Sequence, residues 1–126
     1  LFKAVDDYLN SVQTDDFLIL NTNDGSWKVR LSEIIYVESK DKHTIIRTAD
    51  NHLECCRYMQ EIEKMLPKDR FIRSHRSCIV SFLHIRNHDN KTIYFDNNER
   101  ASISRRYLTD FKKAFQEYIV RYNTKD

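Results

Sequence analysis

Apolar and polar residues alternate over short stretches through most of the chain after residue 16, which is the pattern of half-buried β-strands. Trp27, Val29 and Leu31 alternate with basic residues, and Ile93 and Phe95 alternate within a second stretch. Asn, Asp and the single glycine separate these stretches and are typical of turns. The predicted strands are 17–20, 27–31, 34–37, 44–48, 52–55, 92–96 and 101–103, a further segment begins at 71, and 78–85 is compatible with strand, helix or a tight mixture of both.

Two later segments instead repeat their apolar residues at helical spacing. The middle one ends at Pro67, which cannot continue a helix, and the other closes the chain. The apolar faces are Tyr58 or Met59, Ile62, Met65 and Leu66 in the middle helix, and Leu108, Phe111, Phe115, Ile119 and Tyr122 in the last. The pattern therefore predicts a mainly β fold of short strands in small sheets, with one middle helix and one C-terminal helix.

Helical spacing also occurs at the start of the chain, in Leu1, Val5, Leu9 and Val12. We interpret 1–14 as a linker or an N-terminal helix and 15–126 as one domain, since 126 residues suit a single core. The first residue is not Met, which indicates a piece of a longer protein. No apolar run approaches the roughly 20 residues that span a bilayer.

Charge is unevenly distributed along the chain. Residues 1–67 contain eight Lys or Arg and twelve Asp or Glu, a net charge of −4, whereas residues 68–126 contain thirteen and seven, a net charge of +6. A basic half indicates either a polyanionic partner or an ordinary solvated surface, and charge alone leaves both open.

The three cysteines, Cys55, Cys56 and Cys78, are an odd number and include an adjacent pair. This makes a poor disulfide framework and indicates a reducing compartment, hence a cytoplasmic protein. One cysteine of the adjacent pair is expected to face the core, and Cys78 as well, because each lies in an apolar or strand-like stretch.

Three clusters combine basic side chains with hydroxyls: 39–43 (SKDKH), 70–77 (RFIRSHRS) and 104–106 (SRR). Ser104 is placed to cap the last helix, and its free N–H groups favour an anion there. Two arginines in the same turn oppose the helix dipole, so they favour binding of phosphate or guanine over simple solvation. His75, inside the second cluster, is more easily interpreted as hydrogen-bonded for structure.

Enzymatic and metal sites find little support. One glycine excludes a P-loop and a dinucleotide fingerprint. His75 and Cys78 lack a third orienting group, so we predict no catalytic residues and no enzyme. His84 and His88 have the spacing of zinc ligands on a helix, but turn-forming residues surround them, so we predict no metal and no other cofactor.

Four motifs in order resemble the LytTR family of DNA-binding domains, over about residues 17–116. FIRSHRSCIV (71–80) resembles the family's signature segment, and IIYVE (34–38) resembles its first marked strand. His43 is similar to its loop histidine, and ISRRY (103–107) to its closing element. The resemblance implies an elongated β fold of small sheets, whose loops enter successive major grooves, and the output role of a bacterial two-component response regulator.

Carried over to this chain, the resemblance implies base contacts from His43 and from Arg105 or Arg106, with Arg106 favoured. A third position, usually Asn in the family, is Ser81 here, and Ser cannot make the bidentate contact of Asn to adenine. The implied phosphate contacts are Lys40, Lys42, Arg73 and Arg76. The expected partner is double-stranded DNA with repeated half-sites, bound by a dimer, with a receiver or sensor domain upstream.

Two other functions compete with this interpretation. A β-rich regulatory module could bind a protein or peptide at an exposed sheet edge. Seven Tyr and seven Phe could also stack on single-stranded RNA, although the strand and helix periods send most of them inward.

Overall fold

The computed structural model describes residues 17–22 and 25–123, so the segment predicted as a linker or N-terminal helix, 1–14, lies outside the described residues. The strands are β1 (Phe17–Thr22), β2 (Gly25–Arg30), β3 (Ile34–Lys40), β4 (His43–Thr48), β5 (His52–Cys55), β6 (Phe71–His75), β7 (Cys78–Ser81), β8 (Ile85–His88), β9 (Thr92–Phe95) and β10 (Arg100–Ser102); the helices are α1 (Met59–Met65) and α2 (Arg105–Asn123).

All strand pairs in the described part of the chain are antiparallel, and they form three sheets. The central sheet has five strands in the order β5-β4-β3-β7-β6. A two-stranded sheet, β1-β2, and a three-stranded sheet, β10-β9-β8, complete the fold. Single turns of 3-10 helix, Leu31–Glu33 and Phe82–His84, lead into β3 and β8. The prediction of a mainly β fold with two helices is confirmed.

The central sheet is covered on both faces, which follows from the alternation of side chains along a strand. In the pairing of β3 with β7, Val37 lies opposite Ile79, and the next pair, Tyr36 and Val80, faces the other way. Val37 and Ile79 belong to one apolar core, and Tyr36 and Val80 to a second. The sheet therefore separates two cores and stabilises both.

The first core is formed by one face of the central sheet together with the β1-β2 hairpin and α1. Leu18 and Leu20 enter it from β1, Val29 from β2, and Ile62 from α1. The prediction that Trp27 shares the buried face of its strand is only partly right, because its side chain is 46% exposed. Trp27 pairs with Leu20 near the open end of the hairpin, where little of the domain covers it.

The second core lies between the other face of the central sheet, the three-stranded sheet and α2. Ile93 and Phe95, predicted to face inward, are fully buried there, as is Phe111 of α2. The rings of Phe82 and Tyr118 stack at 5.1 Å between centroids, and the Tyr36 and Phe95 rings at 5.2 Å. Aromatic pairs at these distances add to the free energy gained from burial alone.

Two ambiguities of the sequence are resolved by the fold. The segment 78–85 is a tight mixture, strand β7 followed by a 3-10 turn and the start of β8. On α1, Met59, Ile62 and Leu66 face the core, whereas Tyr58 and Met65 are 70% and 40% exposed. The predicted helix face was therefore too wide, because seven residues make only two turns.

Candidate nucleic-acid interface

The β3-β4 hairpin ends in a two-residue turn that presents the first basic cluster to solvent. Lys40 pairs with His43, and the turn residues Asp41 and Lys42 have φ angles of 51° and 71°. Positive φ at both positions matches the right-handed twist of the strands, although it usually requires Asn or Gly. All four residues are exposed, and Nδ1 of His43 lies 3.7 Å from Oε2 of Glu54 on β5.

The β6-β7 turn presents the second cluster beside this hairpin. The backbone N–H of Ser39 at the end of β3 donates to the carbonyl of Ser77 at 2.9 Å, which joins the hairpin to the turn. Nδ1 of His75 accepts the backbone N–H of Ser77 at 3.1 Å, the structural role that the sequence favoured. Arg76, at the tip, is exposed.

The start of α2 presents the third cluster and is bonded to the same strand. The backbone N–H of Ser104 donates to the carbonyl of Ser74 on β6 at 2.9 Å. The buried hydroxyl of Ser74 donates to the carbonyl of Ser102 at 3.0 Å. Arg105 and Arg106 follow as the first two residues of α2, and both are exposed.

Two of the predicted DNA-contacting residues are less accessible than the others. Ser81, the last residue of β7, is 2% exposed, so its side chain does not reach solvent in this fold. The side chain of Arg73 is 15% exposed, and one terminal nitrogen lies 3.4 Å from Glu63 of α1. Nε of Arg73 is buried without a hydrogen-bond partner.

The structure gathers several of these residues around one depression. Its lining includes Lys42, Arg73, Arg76, Ser77, Tyr58 and Gln60, and we call it the basic depression. Tyr58 and Gln60 are the residues that sequence analysis missed. The helical period assigned position 58 to the buried face, and a lone glutamine on a helix gives no signal.

A carboxylate below the hairpin is neutralised within the sheet. Glu38 of β3 accepts Nε–H of Arg47 at 2.6 Å, and this hydrogen bond raises the pKa of the arginine. Burial, aided by the negative charges of Glu99 and Glu38, also raises the pKa of the Tyr36 phenol. The negative charge of Glu38 therefore offsets little of the positive charge at the hairpin tip.

The histidines weighed as zinc ligands have separate structural contacts. His84 lies in a 3-10 turn with Nε2 2.6 Å from the carbonyl oxygen of Ser32, and His88 in β8 packs edge-on against Phe111. In residues 17–22 and 25–123 we find no group of three or more His, Cys, Asp or Glu side chains placed to hold a metal ion. Within the same residues, neither helix has the length and apolar character needed to cross a membrane.

Comparison with known proteins gives a consistent result. The family model of the LytTr DNA-binding domain matches residues 24–116. A solved structure, the LytTr DNA-binding domain of a Bacillus cereus protein described as a methyl-accepting/DNA response regulator, superposes with a TM-score of 0.69 at 37% identity, covering 78% of this chain and 94% of that one.

Two curated proteins are also similar. The CO-responsive transcriptional regulator RcoM of Rhodospirillum rubrum is 38% identical over 53 residues, which is 42% of this chain and 22% of that protein. The sensory transduction protein LytT of Bacillus subtilis is 28% identical over 101 residues, which is 76% of this chain and 42% of that protein. The chain thus spans less than half the length of either.

Proposed function

Since the chain belongs to the LytTR DNA-binding domain family, we propose that it binds double-stranded DNA sequence-specifically, as the output domain of a bacterial transcription regulator of the response-regulator type. Both similar curated proteins are described as regulatory or signal-transducing. The proposal assigns no catalytic residue and no cofactor to the domain, because its contacts suit binding and not bond-making chemistry.

The observation that carries the proposal is the clustering of three basic segments on one scaffold. The β3-β4 hairpin, the β6-β7 turn and the start of α2 are far apart in the sequence. The backbone hydrogen bonds from Ser39 to Ser77 and from Ser104 to Ser74, both 2.9 Å, hold them to the same strand pair. Exposed cations on a rigid scaffold suit a polyanion, because little side-chain and loop entropy is lost on binding.

The contacts divide into two kinds. Lys40, Lys42 and Arg76 are exposed single cations and suit phosphate contacts, which position the protein without specifying sequence. His43 and the Arg105-Arg106 pair suit base edges, with Arg106 favoured, since arginine binds O6 and N7 of guanine with two hydrogen bonds.

Ser81 and Arg73 are left out of the direct base and phosphate contacts in this proposal. A side chain that is 2% exposed cannot touch a base unless β7 moves. Arg73 is partly neutralised by Glu63 and contributes mainly its charge to the surface.

Binding to DNA is proposed to involve two copies on repeated half-sites. Few base contacts give one domain a weak half-site affinity, and a second copy raises the effective concentration at the other half-site. A receiver or sensor domain upstream would supply the signal, and such regulators act on DNA in the bacterial cytoplasm.

Selection from a random pool of duplex DNA tests this proposal. We expect repeated half-sites to be enriched. Replacing both Arg105 and Arg106 by Ala should lower affinity for the enriched site by about 10- to 150-fold or more, since each bidentate base contact contributes about 1–3 kcal/mol. Fluorescence anisotropy of labelled duplexes measures the loss.

A matched control removes two exposed cations elsewhere, Arg86→Ala with Lys91→Ala on the β8-β9 hairpin. This variant should keep most of the affinity for the enriched site. If the pool shows no enrichment and the Arg105 and Arg106 variant binds like the parent, DNA recognition is wrong and a protein-interaction module becomes the better interpretation.

A further inference from the structure

We infer that the first turn of α1 is part of the DNA interface, where Tyr58 and Gln60 donate hydrogen bonds to a DNA backbone phosphate seated in the basic depression. This inference rests on the proposed function and extends it to a helix that no sequence motif marks. The ligand is one phosphodiester of the duplex, and the two side chains supply neutral donors beside the cations.

The exposure of Tyr58 is the first reason. Its side chain is 70% exposed, while Met59, the next residue, is 8% exposed and packs in the first core. A large aromatic residue this exposed contributes little to the core. Its phenolic O–H is, however, a hydrogen-bond donor, and tyrosine hydroxyls are common contacts to DNA phosphates.

The surrounding charge is the second reason. Lys42 and Arg76 are exposed and line the basic depression together with Tyr58 and Gln60. Its lining, within the described residues, includes no carboxylate. A surface with several cations and neutral donors but no acid attracts an anion.

The nearby acids are occupied elsewhere. Glu61 accepts the backbone N–H of Tyr58 at 3.1 Å and lies 3.4 Å from Arg57. Glu63 lies 3.4 Å from Arg73. These contacts turn both carboxylates toward cations of the domain, so their repulsion of a phosphate is weakened.

The attachment of α1 is the third reason, because it fixes the distance between helix and hairpin. The hydroxyl of Thr44, on β4, donates to the carbonyl of Arg57 just before the helix at 2.5 Å. Ser39 and Ser77 join the other two walls by their backbone hydrogen bond. The site is therefore assembled before DNA arrives, which limits the entropic cost of binding.

The salt dependence of binding separates these neutral donors from cations. Tyr58→Phe and Gln60→Ala should each weaken binding to the enriched duplex about 3- to 10-fold, a typical range for losing an exposed hydrogen bond to a charged group. The slope of log affinity against log salt should not change, since no charge is lost. Arg76→Ala should instead lower the magnitude of that slope by about 0.9.

Tyr94→Phe and Met65→Ala are the matched controls. The first deletes the same hydroxyl from β9, and the second alters an exposed residue of α1 outside the basic depression. Both should bind as the parent does. Circular dichroism of Tyr58→Phe should match the parent, because its ring is mostly solvent-exposed.

A cycle between protein and DNA locates the phosphate. Single phosphates of the duplex are replaced by neutral methylphosphonates, and at one position the effect of Tyr58→Phe should disappear. If Tyr58→Phe and Gln60→Ala bind like the parent while the Arg105 and Arg106 variant fails, the inference about α1 is wrong and the proposed function stands. If the parent itself selects no sequence, the proposed function fails first.

Discussion

The three cysteines have different surroundings, although two of them are adjacent in the sequence. Cys55 and Cys78 are 2% and 8% exposed, whereas Cys56 faces solvent. Burial raises the pKa of the Cys55 thiol and raises that of Cys78 to about 12. Thiolate is the reactive form, so the two buried thiols are protected both by access and by protonation.

We therefore expect one reactive thiol in the folded domain. At pH 8, a thiol reagent such as Ellman's should modify one thiol per chain rapidly in the native protein and three in denaturant. Cys56→Ser should abolish the rapid phase and leave the fold intact. Two rapid equivalents in the native protein would contradict the burial of Cys55 or Cys78.

Single residues show where sequence reasoning succeeds and where it stops. The alternation that sends one of Cys55 and Cys56 inward, and the buried Ile93 and Phe95, follow from strand period alone. The burial of Ser81 did not follow, because its apolar surroundings come from a facing strand, β6, where it pairs with Phe71. Long-range neighbours of this kind are not written in the local pattern.

Among the elements, the β3-β4 turn combines two unfavourable backbone conformations with two exposed side chains. Asp41 and Lys42 both have positive φ, which costs an L-residue other than Asn or Gly about 1 kcal/mol or more. A turn selected only for stability would carry Asn-Gly at these positions. Lys42 instead places a cation on the rim of the basic depression.

Replacing Asp41 by Asn together with Lys42 by Gly should therefore separate stability from binding. The free energy of unfolding, measured in urea, should rise by about 0.5–1 kcal/mol as strain is relieved. Affinity for the enriched duplex should fall, since one phosphate contact is lost. A variant that is both less stable and equally tight in binding would contradict this account of the turn.

The elements also mark a second limit of sequence analysis. The hairpins and both helices were predicted to within a few residues, because their period extends over several side chains. The segment 78–85 stayed ambiguous, since a four-residue strand and a 3-10 turn are each too short to establish a period. The exposed side of α1 was misplaced for the same reason.

For the whole molecule, charge is concentrated at the three segments joined by the Ser39 and Ser104 backbone bonds. The exposed cations there are Lys40, Lys42, Arg76, Arg105 and Arg106. The net charge of +2 gives no sign of this concentration. Only the folded arrangement brings the hairpin from the acidic half next to turns from the basic half.

DNA affinity should therefore depend steeply on salt. If four or five of these cations meet phosphates, log affinity should fall with log salt with a slope of about −3.5 to −4.5. Lys40→Ala should reduce the magnitude of the slope by about 0.9, while Lys91→Ala, on the distant β8-β9 hairpin, should leave it unchanged. A slope near zero in the parent would show that these cations do not contact the backbone.

The three basic segments are fastened by main-chain groups, Ser39 N–H to the carbonyl of Ser77 and Ser104 N–H to that of Ser74. Their outermost side chains, among them His43, Arg76 and Arg106, lie outside both cores. Duplicated copies of such a domain can therefore acquire new operator preferences by mutation at these tips without first becoming unstable. A regulator built in this way can diversify its target genes at little cost to the survival of the protein.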